Sequence, residues 1–336
     1  MIVARFWSKH KETVVYEQQG KPRQLTIERW GFSNESIAHA QEVAKRRVFE
    51  AKEEFESKRH QRPKTFWSQW KREPKVPYNG AEGVPIREEI LEERDETGVL
   101  TRNSYGAHCL NTQHMFIADI DKEGMSFRNE HLTSFLLIVS ILTTFTVLLF
   151  SRMDLWVSLG GALLIGFPVA LGLKFLAWHM YVFFSGGLKE VLKDRLTEHP
   201  SLSFRVYETP NGFRVIETSK PFVAASSFTQ DLFKNLQTDP LYSKMCVQQK
   251  CFRARVSGKP WRMDMEKMPK AAWPIDSADK LHARNQWIKE YEVRAKDFAS
   301  CRLLYTVGKD EQTPSTVFNT LQWHDQLCLN ENNPLA

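Results

Sequence analysis

Two carboxylates close an apolar run in Met115-Phe-Ile-Ala-Asp-Ile-Asp121. Read as a strand, the run puts Asp119 and Asp121 on one face, because successive side chains alternate. Such a pair can share Mg2+ or Mn2+, whose hard charge prefers oxygen ligands. Ions held this way serve phosphoryl and nucleotidyl transfer. A solvated strand end has the same pattern, so the spacing names a chemistry without requiring it.

A second concentration of reactive groups spans 244–270, which holds eight basic residues against Asp264 and Glu266. Arg253 and Arg255 fall two apart on an expected strand and share a face, with Lys259 and Arg262 following and Phe252, Trp261 and Trp273 interleaved. Such a segment suits the phosphates of a nucleotide or nucleic acid. It equally suits anionic lipid headgroups, or ordinary surface charge paired with nearby acids. The glycine-bearing stretches 77–85 and 102–106 read as tight turns and match no phosphate-loop or dinucleotide fingerprint. His108, Cys109 and His114, and the pair Cys246 and Cys251, lack the C-x2-C pairing of a zinc module. No nucleophile signature of the G-x-S-x-G kind is present. His324 and Asp325 are neighbours in sequence, which says little about their geometry.

The elements that must position these groups follow from periodicity and turn chemistry. Thr13–Tyr16 and Gln24–Trp30 read as strands joined through Gly20-Lys21-Pro22. Ser33, or its rival Ser36, caps a charged helix over 34–60. Six prolines and glycines between 61 and 87 mark a loop region. Residues 86–97 read as a short acidic helix, and Gly98–Thr101 and Met115–Asp121 as strands. Phe204–Thr209 and Phe213–Thr218 form a hairpin whose Asn211-Gly212 favours a positive-φ turn. Helices follow at 226–237, from Asp239-Pro240, and at 277–297, with strands at 251–256 and 301–307. Five scattered cysteines, an odd number, read as reduced thiols in a cytosolic compartment.

The composition is 42% hydrophobic and 26% charged with a net charge of +6, yet 132–151 and 155–173 contain no charged residue. Leu132–Phe150 would span about 28 Å as a helix, close to the hydrocarbon thickness of a bilayer. Ser151-Arg-Met-Asp154 would turn it into a second helix over 155–184, where Ala162, Gly166 and Ala170 make a smooth stripe for helix packing or self-association. Basic flanks place both termini in the cytoplasm, at a bacterial-type inner membrane. The expected fold class is therefore an α+β cytoplasmic domain interrupted by a two-helix transmembrane hairpin. It divides into 1–60 (strands and a charged helix), 61–131 (loop-rich, ending in the Asp119 strand), the hairpin 132–185, and a C-terminal α+β segment 186–336 that packs with 98–131.

The succession YNGAEGVP (78–85), RNSYG (102–106), ADID (118–121), the apolar hairpin, DPLY (239–242) and FRARVSGKPWR (252–262) resembles a family of uncharacterised bacterial two-pass membrane proteins. That resemblance implies no activity. About 100 residues also resemble the catalytic core of archaeo-eukaryotic primases and primase-polymerases. There Asp119 and Asp121 match the acidic strand motif, and the 209–214 hairpin sits where a histidine motif belongs, with Arg214 in the histidine's place. The resemblance implies a degenerate metal-dependent nucleotidyltransferase-like module. On this reading Asp119 and Asp121 hold Mg or Mn, and Arg214, Arg253, Arg255, Lys259 and Arg262 contact phosphate of a nucleotide or nucleic acid. The rival expectation is a non-catalytic membrane scaffold that docks anionic lipid or a protein partner.

Overall fold

A computed structural model describes residues 3–61, 67–71, 84–95, 97–121, 188–269, 273–275, 277–309, 313–328 and 332–336. It begins with a long antiparallel hairpin, β1 (Phe6–Gln18) and β2 (Lys21–Ser33). The two-residue connection is Gln19-Gly20, both with positive φ, the conformation that matches strand twist in a tight hairpin. Pro22 lies inside β2 rather than in the turn. Helix α1 (Ile37–Lys58) starts at Ser36, whose side chain accepts from the His39 amide, and Ser33 Oγ accepts from the Glu35 amide just before it. Its buried stripe of Ala40, Val43, Ala44, Val48, Ala51 and Phe55 lies on the hairpin, with Trp70 of the short α2 (Ser68–Lys71) against Phe55. Gly31 permits this approach: a Cβ there would stand 2.0 Å from the Ala40 carbonyl oxygen.

Two four-stranded antiparallel sheets carry the rest. One has the order β3 (Glu89–Arg94), β4 (Gly98–Arg102), β5 (His108–Thr112), β9 (Phe252–Arg255). The other has the order β10 (Arg302–Gly308), β7 (Ser203–Thr209), β8 (Gly212–Glu217), β6 (Ile117–Asp121). Both sheets therefore join strands from before residue 122 to strands from after 187. One apolar core, including Leu110, Phe116, Ile117, Phe204, Val215 and Phe252, is continuous between them. Around it stand α3 (Ser227–Asn235), α4 (Pro240–Gln249) and α6 (Ser315–Cys328), while α5 (Ala278–Ala295) buries Trp287 and Tyr291 in a separate cluster with Ala107, Met263 and Met268. Ser226 caps α3 through the Thr229 amide, and Asp239 caps α4 through the Leu241 and Tyr242 amides. All five cysteines are free and buried.

Several sequence expectations are corrected. The acidic segment 86–97 is not a helix. Its centre is β3, paired with β4, because the ladder places Glu89 beside Arg102 and this tertiary pairing outweighs a weak local helix preference. The hairpin connection at 210–211 uses no positive φ at Asn211 or Gly212. Gly212 is needed instead for proximity, since a Cβ there would meet the Ile120 carbonyl oxygen at 1.9 Å.

The fold class itself is also corrected. Among the described residues no helix is long and apolar enough to cross a membrane, and the fold that is described is α+β. α1 has the length, 22 residues, but acidic and basic side chains recur along all of it. α5, the next longest, is charged in the same way. The two-pass integral membrane protein, its inner-membrane placement and the membrane scaffold are therefore not carried forward. The segments 132–150 and 155–184, with Ala162, Gly166 and Ala170, lie outside the described residues.

Candidate functional site

Asp119 and Arg214 stand directly opposite each other in the β6–β8 ladder. Cross-strand partners share a face, so opposite charges at this register meet. Arg214 Nε donates to Asp119 Oδ1 at 3.1 Å. The arginine side chain is 2% exposed and the aspartate 36%, so the pair joins the core to a surface opening. Arg214 spends its remaining donors inward: Nη2 on the Arg255 carbonyl at 3.1 Å, and Nη1 on His324 Nε2 at 3.2 Å and Cys328 Sγ at 3.8 Å. Burial alone would lower its pKa, but Asp119 and the neighbouring cysteines hold it raised, so the guanidinium stays charged.

Asp121, two residues on, lines the same opening and accepts from Asn211 Nδ2 at 3.4 Å. Its pKa is raised, first by burial and then by Asp119 and Asp239, against the opposing effects of Asn211 and Lys259. Asp239 arrives from 118 residues further along, brought by a direct backbone tie: its amide donates to the Asp119 carbonyl at 3.2 Å. Tyr242, one turn into α4, locks this arrangement. Its hydroxyl donates to the Ile117 carbonyl at 2.8 Å and accepts from the Arg253 amide at 3.3 Å. Sequence reading had marked Asp239 as a helix start. Its place beside the β6 acids follows from the packing of α4 on β6.

The opposite wall is basic. Arg255 Nη1 donates to the Ser257 and Ala336 carbonyl oxygens at 2.6 and 3.0 Å. Lys259 and Arg262 follow at the short 3-10 turn Pro260–Arg262. The Arg262 amide donates to the Lys259 carbonyl at 2.9 Å, but neither charged side-chain group has a hydrogen-bonding or ion-pair partner among the described residues. The Lys259 ammonium lies 5.6 Å from the centre of the Trp261 ring. Burial lowers the pKa of Lys259, and Arg255 and Arg262 lower it further, with Asp121 and Asp119 opposing. Between the walls is a cavity of about 290 Å³, which Asn103, Ser104 and Tyr105 of the β4–β5 turn also line.

The residues singled out in the sequence thus divide. Asp119, Asp121, Arg255, Lys259 and Arg262 meet around one cleft. Arg214 and Arg253 line it too, but their guanidinium groups are committed to carboxylates. Arg253 is held by Glu88, with Nη2 to Oε2 at 2.7 Å, and donates from Nη1 to Asn111 Oδ1 at 2.9 Å. Two of the five expected phosphate contacts are therefore neutralised by carboxylates inside the protein and a third, Arg255, already donates to backbone oxygens, so these contacts lend no support to a nucleotide or nucleic-acid site. Asp119 and Asp121 also fall short of a ready-made ion site. Among the described residues the one group of three His, Cys, Asp or Glu donors clustered closely enough to hold an ion is Cys301, His324 and Cys328, all buried. The sequence reading missed this group because α6 was not foreseen. The i, i+4 spacing of His324 and Cys328 on one helical face was the available signal.

Among known proteins, no family model, no curated protein and no solved structure matches this chain.

Proposed function

We propose that the cleft between the two sheets is a binding site for a small phosphorylated ligand. The observation that carries this reading is the pair Lys259 and Arg262: two cations at the cleft, without acidic partners among the described residues, in surroundings that disfavour the charge on Lys259. An anion placed between them relieves that repulsion, and hydrogen bonds to charged groups are the stronger kind. The polar turn Asn103–Tyr105 and the carboxylate of Asp121 then face the rest of the ligand, the carboxylate accepting from its hydroxyl groups. A Mg2+ or Mn2+ ion accompanying the phosphate would use Asp121 together with Asp119. Arg214 and Arg253 act behind the surface, holding the acidic and basic walls in place.

The test is calorimetric titration of the full chain with inorganic pyrophosphate, with and without Mg2+. Wild type is expected to bind. Lys259→Ala and Arg262→Ala are each expected to weaken binding about 10-fold or more, since a hydrogen bond to a charged group contributes roughly 1.5–3 kcal/mol. Binding is also expected to decline as pH rises through the lowered Lys259 pKa, below the ordinary lysine value of 10.5, because the neutral amine attracts no anion. No binding by wild type, or equal binding by the double variant, would remove this reading. Dependence on Mg2+ that vanishes in Asp121→Asn would assign the acidic wall to the ion; binding indifferent to Mg2+ would assign it to the ligand's hydroxyls.

A further inference from the structure

Behind the cleft, on the far side of Arg214, lies a buried group that the proposed ligand does not touch. Cys301 precedes β10, and His324 and Cys328 sit one turn apart near the end of α6. The two sulfurs and a ring nitrogen of His324 all lie within 4.8 Å of one another, and the three residues are at most 2% exposed. Donors of a tetrahedral zinc ion stand about 3.5–3.8 Å apart, from Zn–S and Zn–N bonds of about 2.3 and 2.0–2.1 Å. Small side-chain rotations close the difference.

The surroundings of His324 are those of a metal ligand. Its Nδ1 is 2.9 Å from Asp325 Oδ1, a carboxylate that can only accept, so Nδ1 carries a proton; Arg214 Nη1, which can only donate, stands 3.2 Å from Nε2, which therefore keeps its lone pair. Asp325 is itself fixed, accepting from Tyr207 Oη at 2.9 Å and Arg205 Nη1 at 3.2 Å. A carboxylate that orients a histidine and raises its basicity is the usual outer partner of a zinc-bound imidazole. Arg214 supplies the other: its Nη1 reaches Cys328 Sγ, an N–H···S contact that strengthens when the sulfur is a thiolate.

We infer that Cys301, His324 and Cys328 form a structural site for a thiophilic divalent ion, zinc in the first instance. Both thiols lose a proton to solvent on binding. The ion and two thiolates are then neutral as a unit, which suits burial. Arg214 remains balanced by Asp119, and Asp325 by Arg205. Nε2 gives its lone pair to the ion, and Arg214 exchanges that contact for the thiolate while keeping Asp119 and the Arg255 carbonyl. Three protein donors leave one tetrahedral position for a further ligand. The ion would pin the end of α6 to the start of β10 and set the position of Arg214, and through it Asp119.

Metal analysis of the reduced full chain, with cobalt titration of the metal-stripped protein, tests this. One zinc per chain and a thiolate-to-cobalt charge-transfer band are expected. Cys301→Ser/Cys328→Ser should abolish the band, and Asp325→Asn should weaken metal affinity about 10–100-fold while leaving the ligand set intact. The wild-type titration does not depend on any variant folding. Absence of stoichiometric zinc and of the cobalt band in wild type overturns the inference. So does an unchanged band in the double cysteine variant.

Discussion

Glu88 and Arg253 form a deeply placed ion pair, with side chains 4% and 13% exposed. Arg253 Nη2 lies 2.9 and 2.7 Å from the two Glu88 oxygens, and the Thr101 hydroxyl donates to Oε2 at 2.8 Å. Glu88→Gln keeps the shape and removes the charge, leaving a buried guanidinium without compensation. Breaking a buried pair from one side costs about 3–5 kcal/mol. With an unfolding entropy of about 2.1 cal/mol/K per residue over 336 residues, that is a fall in Tm of roughly 4–7 °C. Replacing both partners, Glu88→Leu with Arg253→Met, removes both desolvation costs together and should restore most of the loss. Guanidinium chloride unfolding of Glu88→Leu, Arg253→Met and the double variant closes a cycle that gives the coupling energy. If Glu88→Gln lies within about 1 kcal/mol of wild type, the pair does not carry the structural role assigned to Arg253. That residue would then be free to serve a ligand.

Two further outcomes follow from local geometry. Gly212→Ala should cost about 1–3 kcal/mol and displace the edge strand that bears Asp119 and Asp121, because the added methyl collides with backbone at 1.9 Å. Gly20→Ala, with open space around it and only its positive φ against it, should cost about 1 kcal/mol; thermal melts of the two rank them. Burial alone would raise the pKa of Glu292, but His108 and Arg102 hold it down to about 2 from an ordinary 4.5. A lowered carboxylate pKa stabilises the fold above the unfolded value, so this contribution should fade as pH falls from about 4.5 towards 2. Acid titration of Glu292→Gln should lack that component.

What could be read in the sequence was what neighbours in the chain decide. Asp239 was legible as a helix start, and Ser36 only as the rival of Ser33 for α1, because a side-chain oxygen reaches amides two or three residues on. The hairpins at 6–33 and 203–217 follow from alternation and short turns, although the turn residues were placed one position late in the first, and the wrong backbone conformation was expected in the second. The pairing of Asp119 with Asp121 on one side of a strand end was legible for the same reason. The strand character of 89–94 was not, because glutamates favour a helix locally and only a partner strand supplying Arg102 overrides that preference. Hydropathy alone led to a membrane fold class, whereas the described chain owes its order to sheet pairing and a shared core.

Only the tertiary structure decided which charges are used and which remain available. Arg214 and Arg253 looked no different in sequence from Lys259 and Arg262. Strand register set the first against Asp119 and sheet packing set the second against Glu88, 95 and 165 residues away. Likewise Asp239 joins the β6 acids, and Cys301 meets His324 and Cys328, through packing that no local period encodes. Electrostatic and ligating chemistry depends on distances of a few ångströms between residues far apart in the chain. Those distances exist only once register and helix docking are fixed.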